Sequence, residues 1–186
     1  MNTRSKEEEF QVSFSFQEAD GSRVELDLQV RARGNFRHFN CDFPPLYLNF
    51  KRSQVKDTLF DQQNKLKMVV HCKDSGRYQQ SVLREYLAYR ILNSLTDRSF
   101  QVRLLDVTYV DSEDRRPRMV RNAFLIEHVD RLGVRLGRQK LNIFPDKVED
   151  IQADYLNLTS VFQYFLGNTD FSAVLGSQDE CCHNYE

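Results

Sequence analysis

The sequence has no apolar run approaching about 18 residues, the length a membrane-spanning helix requires, so no membrane span is predicted. It also lacks an excess of either charge, with 26 basic and 27 acidic residues among 186. Bulk electrostatics therefore point neither to nucleic acid nor to an anionic membrane, and local charge must carry any such argument. No repeat or Pro/Gly-rich linker divides the chain, which favours one domain over residues 11–186 after a disordered segment at residues 1–10.

The chain has four cysteines, too few and too scattered for a disulfide scaffold, and free thiols are the favoured prediction. A Cys41–Cys72 bridge is possible if the protein is exported, since each residue lies just outside a predicted strand. A zinc or thiol site is a further hypothesis, although no pair of its residues has the spacing typical of a zinc knuckle. Its residues are His71, Cys72, Cys181, Cys182 and His183.

The opening stretch MNTRSKEEEF contains no hydrophobic segment and so is not a signal peptide, although a trimmed start would look the same. The location therefore stays open. We expect the cell envelope or export if a signal preceded this stretch, and the cytoplasm otherwise.

Alternation of apolar and polar residues predicts an antiparallel sheet of five or six strands. FQVSFSF and RVELDLQVRA flank the turn EADGS and are typical of a hairpin. LYLNF and KLKMVVHC are two further strand candidates, and SFQVRLLDVTYVD and MVRNAFLIEHVD form a second hairpin. With a helix packed on one face, this order predicts an α+β fold.

Two segments are predicted as helices. The first is Ser81–Leu95, whose apolar residues recur at steps of three and four. The second runs from Tyr155 to Leu166 and ends at Gly167-Asn168, the pair best able to adopt the left-handed conformation. The apolar stripe of the first helix comprises Leu83, Tyr86, Leu87, Ile91 and Leu95.

Glu85 is an unusual residue in the first helix, because its helical neighbours at three and four steps are apolar. A buried carboxylate without a partner would be costly, so we expect a cationic partner. Lys65 and Lys67, which share one face of the preceding strand, are the natural suppliers. A strand lysine held by a helix glutamate is how kinases grip nucleotide phosphates, although a plain surface ion pair fits equally well.

Two other stretches carry chemistry. In VRARGNFRHFN, Arg33, Gly34 and Asn35 form a turn that could hold a phosphate or carboxylate, although such a turn is often only a turn. After the second helix, Asp170 could orient an attacking hydroxyl and Asn184 could hold magnesium on a phosphate.

These segments together resemble the spore-coat-protein-H-like (CotH-like) family of atypical protein kinases, in a diverged branch. The ordered motifs that carry the resemblance are RARGNFR, PPLYLNFK, KLKMVVHC, SVLREYLAYRILNSLT, SFQVRLLDVTYVD, AFLIEHVDRL and FLGNTDFS followed by HN. They extend from about Val12 to the end of the chain. The resemblance implies a kinase-like fold, ATP with Mg or Mn, and transfer of phosphate to hydroxyl groups of an unknown protein substrate.

The resemblance also implies roles for individual residues. Asp170 corresponds to the catalytic-loop aspartate and Asn184 to the asparagine that holds the metal. Glu85 corresponds to the glutamate that orients the phosphate-gripping lysine, with Lys67 the first choice and Lys65 the second. Backbone groups from Glu127 to Val129 would meet adenine, and the turn of Arg33, Gly34 and Asn35 would lie near the phosphates.

Two departures from the family pattern shape what we expect. The interval between Asp170 and Asn184 is longer than is typical of kinases, and the DFG-like metal motif does not occur before Glu186. The sequence therefore predicts a kinase-like N-lobe followed by an incomplete C-lobe, inactive as it stands. The alternative hypothesis is a non-catalytic binding or structural module of a cell envelope or coat.

Overall fold

The computed structural model describes residues 8–34, 36–139, 148–169 and 171–173. It is an α+β structure with one six-stranded antiparallel sheet, as the sequence predicts. The strands are β1 (Glu9–Gln17), β2 (Arg23–Ala32), β3 (Leu46–Asn49), β4 (Lys65–Val69), β5 (Val102–Tyr109) and β6 (Met119–Ile126). The helices are α1 (Phe36–Asn40), α2 (Arg52–Val55), α3 (Gly76–Leu95), α4 (Val129–Arg135) and α5 (Ala153–Leu166), with a 3-10 turn at Val148–Asp150.

The strands lie in the order β1-β2-β3-β4-β6-β5, and each neighbouring pair is antiparallel. Both hairpins predicted from the sequence, β1-β2 and β5-β6, are present. β1 begins at Glu9, so the last two residues of the segment predicted as disordered belong to the sheet. Glu9 is held there because its side chain accepts a hydrogen bond from Asn49 Nδ2 at 2.6 Å.

One face of the sheet is a continuous apolar core. Its residues come from every second position of the strands. In β4, for example, Leu66 and Met68 contribute, while the alternating Lys65 and Lys67 do not. The short helix α2 and the turn after it close this face with Val55 and Phe60, both buried. Phe60 stacks on Phe50 with ring centroids 4.9 Å apart. This core forms the rigid base of the fold.

The opposite face of the sheet is covered in part by α3. Val82 of α3 is buried against Val69, Phe124 and Ile126 of β4 and β6. α3 begins at Gly76, five residues before the predicted start, because Ser75 still has an extended backbone (φ −150°, ψ 156°). It ends at Leu95, as predicted, where Thr96 becomes extended.

The buried face of α3 matches the stripe predicted from the sequence only in part. Tyr86 of that stripe packs against Phe124, beside the buried Val82, whereas the stripe residues Leu83, Leu87 and Leu95 are 36%, 56% and 54% exposed. The helix is apolar on both sides, so periodicity alone could not select the side that meets the sheet.

The chain divides into two compact units, Met1–Leu132 and Gly133–Glu186, where the sequence analysis treats residues 11–186 as one domain. In the second unit, α5 ends as predicted. Gly167 adopts the left-handed conformation (φ 68°), which glycine enters without steric cost, and its N–H donates to the carbonyl of Tyr164. Within the described ranges, no helix is long and apolar enough to cross a membrane.

Candidate functional site

Four cationic side chains surround Tyr47 on the sheet face that α3 partly covers. Arg31 Cζ and Arg33 Cζ lie 4.8 Å and 5.8 Å from the centroid of the Tyr47 ring, and Lys65 Nζ lies 4.3 Å from it. Lys67 is the cross-strand partner of Tyr47 and therefore lies on the same face. We call Arg31, Arg33, Lys65 and Lys67 the basic cluster.

The basic cluster concentrates positive charge on a partly enclosed surface. All four side chains are half-buried rather than fully solvated. Burial is the main reason that the pKa of Lys65 is lowered, and the neighbouring Arg31 lowers it further, while Glu9 opposes the shift. Partial burial and mutual repulsion both favour the arrival of an anion.

The turn that follows β2 brings Arg33 to this cluster. The Arg33 N–H donates to the carbonyl of Pro45 at 2.8 Å, which fixes the end of β2 against the start of β3. Gly34 has φ +87°, in the left-handed region that favours glycine. A Cβ there would meet only the Cβ of Arg37, at 4.0 Å, so conformation rather than space explains this glycine. Asn35, predicted to complete the turn, lies outside the described residues.

Glu85 has the cationic partner that the sequence predicts, but the partner is Arg37 of α1. Both Nη1 and Nη2 of Arg37 lie 3.3 Å from Glu85 Oε2. The expected pairing with Lys65 or Lys67 is thus corrected, because α1 is inserted between β2 and β3 and carries an arginine to the edge of α3. The predicted role of Glu85 in orienting a lysine stays a prediction.

The predicted adenine-binding segment begins beside the basic cluster. Ile126, the last residue of β6, is the cross-strand partner of Lys67, so Glu127 follows directly beyond this position. The Glu127 N–H donates to the carbonyl of Gln101 at 2.9 Å, and its carboxylate accepts from the Gln101 N–H at 3.0 Å. That Glu127 N–H is therefore occupied, and Val129 already begins α4.

Cys41 and Cys72 form a disulfide, so the favoured prediction of free thiols is wrong for this pair. The bond ties the end of α1 to the segment after β4, and it is reinforced by the Phe43 N–H, which donates to the carbonyl of Cys72. Cys72 is thereby removed from the hypothetical zinc or thiol site.

His71, another residue of that hypothetical site, belongs to the core. It is 0% exposed, with Phe43 stacked on its ring at 4.7 Å and Tyr109 edge-on at 5.9 Å. Neither ring nitrogen has a hydrogen-bond partner among the described residues. Burial, followed by the charge of Arg121, lowers the pKa of His71 against the opposing influence of Asp74. This environment disfavours the protonated form of the His71 imidazole.

Several predicted site residues lie outside the described part of the chain. The described residues contain no group of three or more His, Cys, Asp or Glu side chains placed to hold a metal ion. The predicted catalytic and metal residues Asp170 and Asn184, together with Cys181, Cys182 and His183, are beyond those residues.

A ligand-sized hollow of about 610 Å³ lies elsewhere in the first unit. Its lining includes Arg121, which pairs with Asp74, and Asn122, which accepts from Gln79 at 2.6 Å and donates to Asp106. Since these donors already bond acceptors within the lining, the hollow is a poor match for a phosphate. It contains no residue of the basic cluster.

Sequence reasoning missed Tyr47 as the centre of the cluster and Arg37 as the partner of Glu85. Alternation in LYLNF predicts that Tyr47 lies on the other face of the sheet from Leu46 and Leu48. Only the strand register shows that Tyr47 lies between Arg31 and Lys67. No short motif marks Arg37, which reaches Glu85 across 48 residues of sequence.

No family model, curated protein or solved structure matches this chain. The resemblance to the CotH-like family therefore remains a prediction, and the geometry of the basic cluster must carry the functional argument.

Proposed function

We propose that the chain is a kinase-like domain whose basic cluster binds the phosphates of ATP for transfer to protein hydroxyls. The observation that carries this proposal is the convergence of four half-buried cations from β2, β4 and the turn after β2 around Tyr47. No sequence motif predicts such a convergence by itself.

The chemistry of the cluster suits a polyphosphate. Arginine presents a planar fork of donors that matches phosphate oxygens, and lysine supplies a compact positive charge. The pairs Arg31–Arg33 and Lys65–Lys67 offer both kinds of group on adjacent positions of one sheet face. In this proposal a base attached to that phosphate chain would extend toward the segment from Glu127 to Val129, since Glu127 follows Ile126, the cross-strand partner of Lys67.

In this proposal each residue has a limited task. ATP supplies the transferable phosphoryl group. Lys67, Lys65 and Arg33 bind and orient its phosphate oxygens, while Arg37 holds Glu85 at the edge of α3. The tasks of Asp170, as the base that accepts the hydroxyl proton, and of Asn184, as a ligand for Mg or Mn, follow from the resemblance alone.

The test is ATP binding by the purified chain, measured by calorimetry with Mg²⁺ or Mn²⁺. We expect saturable binding that weakens roughly tenfold or more in Lys67→Ala, since a charged hydrogen bond to phosphate is lost. Lys56→Ala is the matched control, because it removes an exposed lysine outside the cluster. Asp170→Ala should retain binding, because the resemblance assigns Asp170 to the acceptor hydroxyl and not to the phosphates.

Two outcomes would contradict the proposal. The first is a wild-type chain that does not bind ATP under either metal. The second is an equal loss of affinity in Lys56→Ala and Lys67→Ala, which would show only diffuse attraction between charges.

A second candidate function is a non-catalytic binding module in an oxidising compartment such as a cell envelope. The Cys41–Cys72 disulfide favours it, because such bonds persist mainly outside the reducing cytosol. This candidate predicts that the basic cluster binds anions, including sulfate and ATP, with similar affinity and that no phosphate is transferred. Strong preference for ATP over sulfate would count against it.

A further inference from the structure

The outer surface of α3 carries apolar residues that the described part of the chain leaves exposed. Leu83 and Leu87, which lie one turn apart, are 36% and 56% exposed, and Leu95 is 54% exposed. The sheet-facing side is occupied instead by Val82, with Tyr86 and Tyr89 beside it. Single exposed leucines are common on protein surfaces, whereas leucines exposed on successive turns of one helix form a contiguous apolar patch.

Arginines flank these leucines. At 100° per residue, Arg90 lies on one side of the Leu83–Leu87 line, and Arg84 and Arg77 lie on the other. All three arginines are exposed, and none of their side chains makes a hydrogen bond or an ion pair within the described residues. We call Arg77, Leu83, Arg84, Leu87 and Arg90 the outer face of α3.

The outer face carries no carboxylate to balance its charge. The single acidic residue of α3 is Glu85, which lies at the border with the buried side and is paired with Arg37. The remaining exposed residues on this arc, among them Gln80, Ser81 and Ser94, are neutral. The chain as a whole is nearly neutral, so this face is a local excess of positive charge.

We propose that the outer face of α3 docks on an anionic lipid bilayer, with the helix lying in the plane of the interface. A helix of 20 residues is about 30 Å long, and its arginines can extend to lipid phosphates while the leucines between them enter the headgroup region. The arginines favour a negatively charged surface, and the leucines favour a surface that can also bury apolar side chains. A nucleic acid would use the arginines and leave the leucines in water.

This inference does not depend on the proposed nucleotide site. The outer face and the basic cluster share no residue, and a failure of ATP binding would leave the bilayer argument unchanged.

The test is co-sedimentation with phosphatidylcholine vesicles prepared with and without phosphatidylserine. We expect binding to the vesicles with phosphatidylserine and little binding to the others, with weakening at higher salt. Replacing the arginines together (Arg77→Gln, Arg84→Gln, Arg90→Gln) should reduce the partition coefficient roughly a hundredfold, at about fivefold for each charge. Absence of binding by the wild type would overturn the inference.

A matched control variant is Arg103→Gln, Arg116→Gln and Arg118→Gln, which removes three exposed arginines of β5 and the β5-β6 turn. This control variant changes the net charge by the same amount as the outer-face variant. Because its arginines lie outside the outer face, it should bind vesicles as the wild type does. An equal loss of binding would show attraction without a docking face and would overturn the inference.

The leucines separate a bilayer from an acidic polypeptide. Leu83→Ser with Leu87→Ser should lower vesicle binding severalfold at constant charge, and thermal unfolding should verify that the variant folds. If the double variant bound vesicles unchanged, or if the wild type preferred polyglutamate to vesicles, the partner would be an acidic polymer and the bilayer proposal would be wrong.

Discussion

β4 and the two residues after it form one segment, from Lys65 to His71, whose two ends differ sharply in exposure. The alternation of side chains continues along the whole segment. Lys65 and Lys67 at the first end are half-buried and lie beside Tyr47 in the basic cluster. Val69 and His71 at the far end share the same predicted face, but each is 0% exposed. One end is partly open to solvent, and the other is closed to it.

The difference arises from the neighbouring strands and helices rather than from β4 itself. The first end is flanked by β3, which carries Tyr47. At the far end, Phe124 and Val82 cover Val69, while Phe43 and Tyr109 enclose His71. Residues that share a strand face are therefore not equally available for chemistry. Burial withdraws His71 from the hypothetical metal or thiol site, and the disulfide withdraws Cys72.

The largest effect expected is at the closed end. Phe124→Ala should reduce the free energy of unfolding by about 3–5 kcal/mol, because it removes a fully buried ring next to Val69 and Val82. Lys65→Ala at the open end should change it by less than about 1 kcal/mol. Urea denaturation of both variants measures the contrast, and similar losses would mean that the two ends do not differ as described.

The disulfide at the closed end should contribute next. Cys41 and Cys72 are 31 residues apart in sequence, and loss of a native disulfide typically costs about 2–4 kcal/mol through the added freedom of the unfolded chain. We expect dithiothreitol to lower the urea midpoint of the wild type by a corresponding amount. A variant with Cys41→Ala and Cys72→Ala should have the lower urea midpoint without dithiothreitol, and the reductant should not change that midpoint. A reductant effect that persists in this variant would assign it to Cys181 or Cys182 instead.

A smaller effect should follow acidification. The pKa of folded His71 is lowered, so the unfolded chain takes up the proton first, as the pH falls below about 6.5. The contribution to stability is complete above that value and is lost progressively below it, by at most about 1.4 kcal/mol for each pH unit. Arg121 strengthens this trend and Asp74 opposes it, whereas Tyr109 stays neutral because burial raises its pKa to about 12.

The measurement is the free energy of unfolding at pH 7.5 and pH 5.5 for the wild type and for His71→Phe, which keeps a ring between Phe43 and Tyr109. In the His71→Phe variant, most of the decrease in the free energy of unfolding between pH 7.5 and pH 5.5 should be absent. An equal decline in both proteins would place the titrating group elsewhere.

Much of the fold was predictable because strand alternation and turn residues act locally. Both hairpins, the six-stranded antiparallel sheet and the C-terminal ends of α3 and α5 follow from such patterns. The candidate site was predictable only in part. Lys65, Lys67 and Arg33 do lie together, but the partner of Glu85 depends on α1, a five-residue helix too short for any periodic pattern to reveal.

The sequence by itself determined which residues alternate on β4, where α3 and α5 end, and that Glu85 needs a cation. Only the tertiary structure decided that Arg37 supplies that cation, that Tyr47 gathers the four members of the basic cluster, and that α3 turns Leu87 outward rather than inward. The physical reason is that alternation and capping depend on neighbours a few residues away. Register, burial and charge pairing instead depend on segments that approach one another from 14 or more residues apart, such as Arg33 and Tyr47.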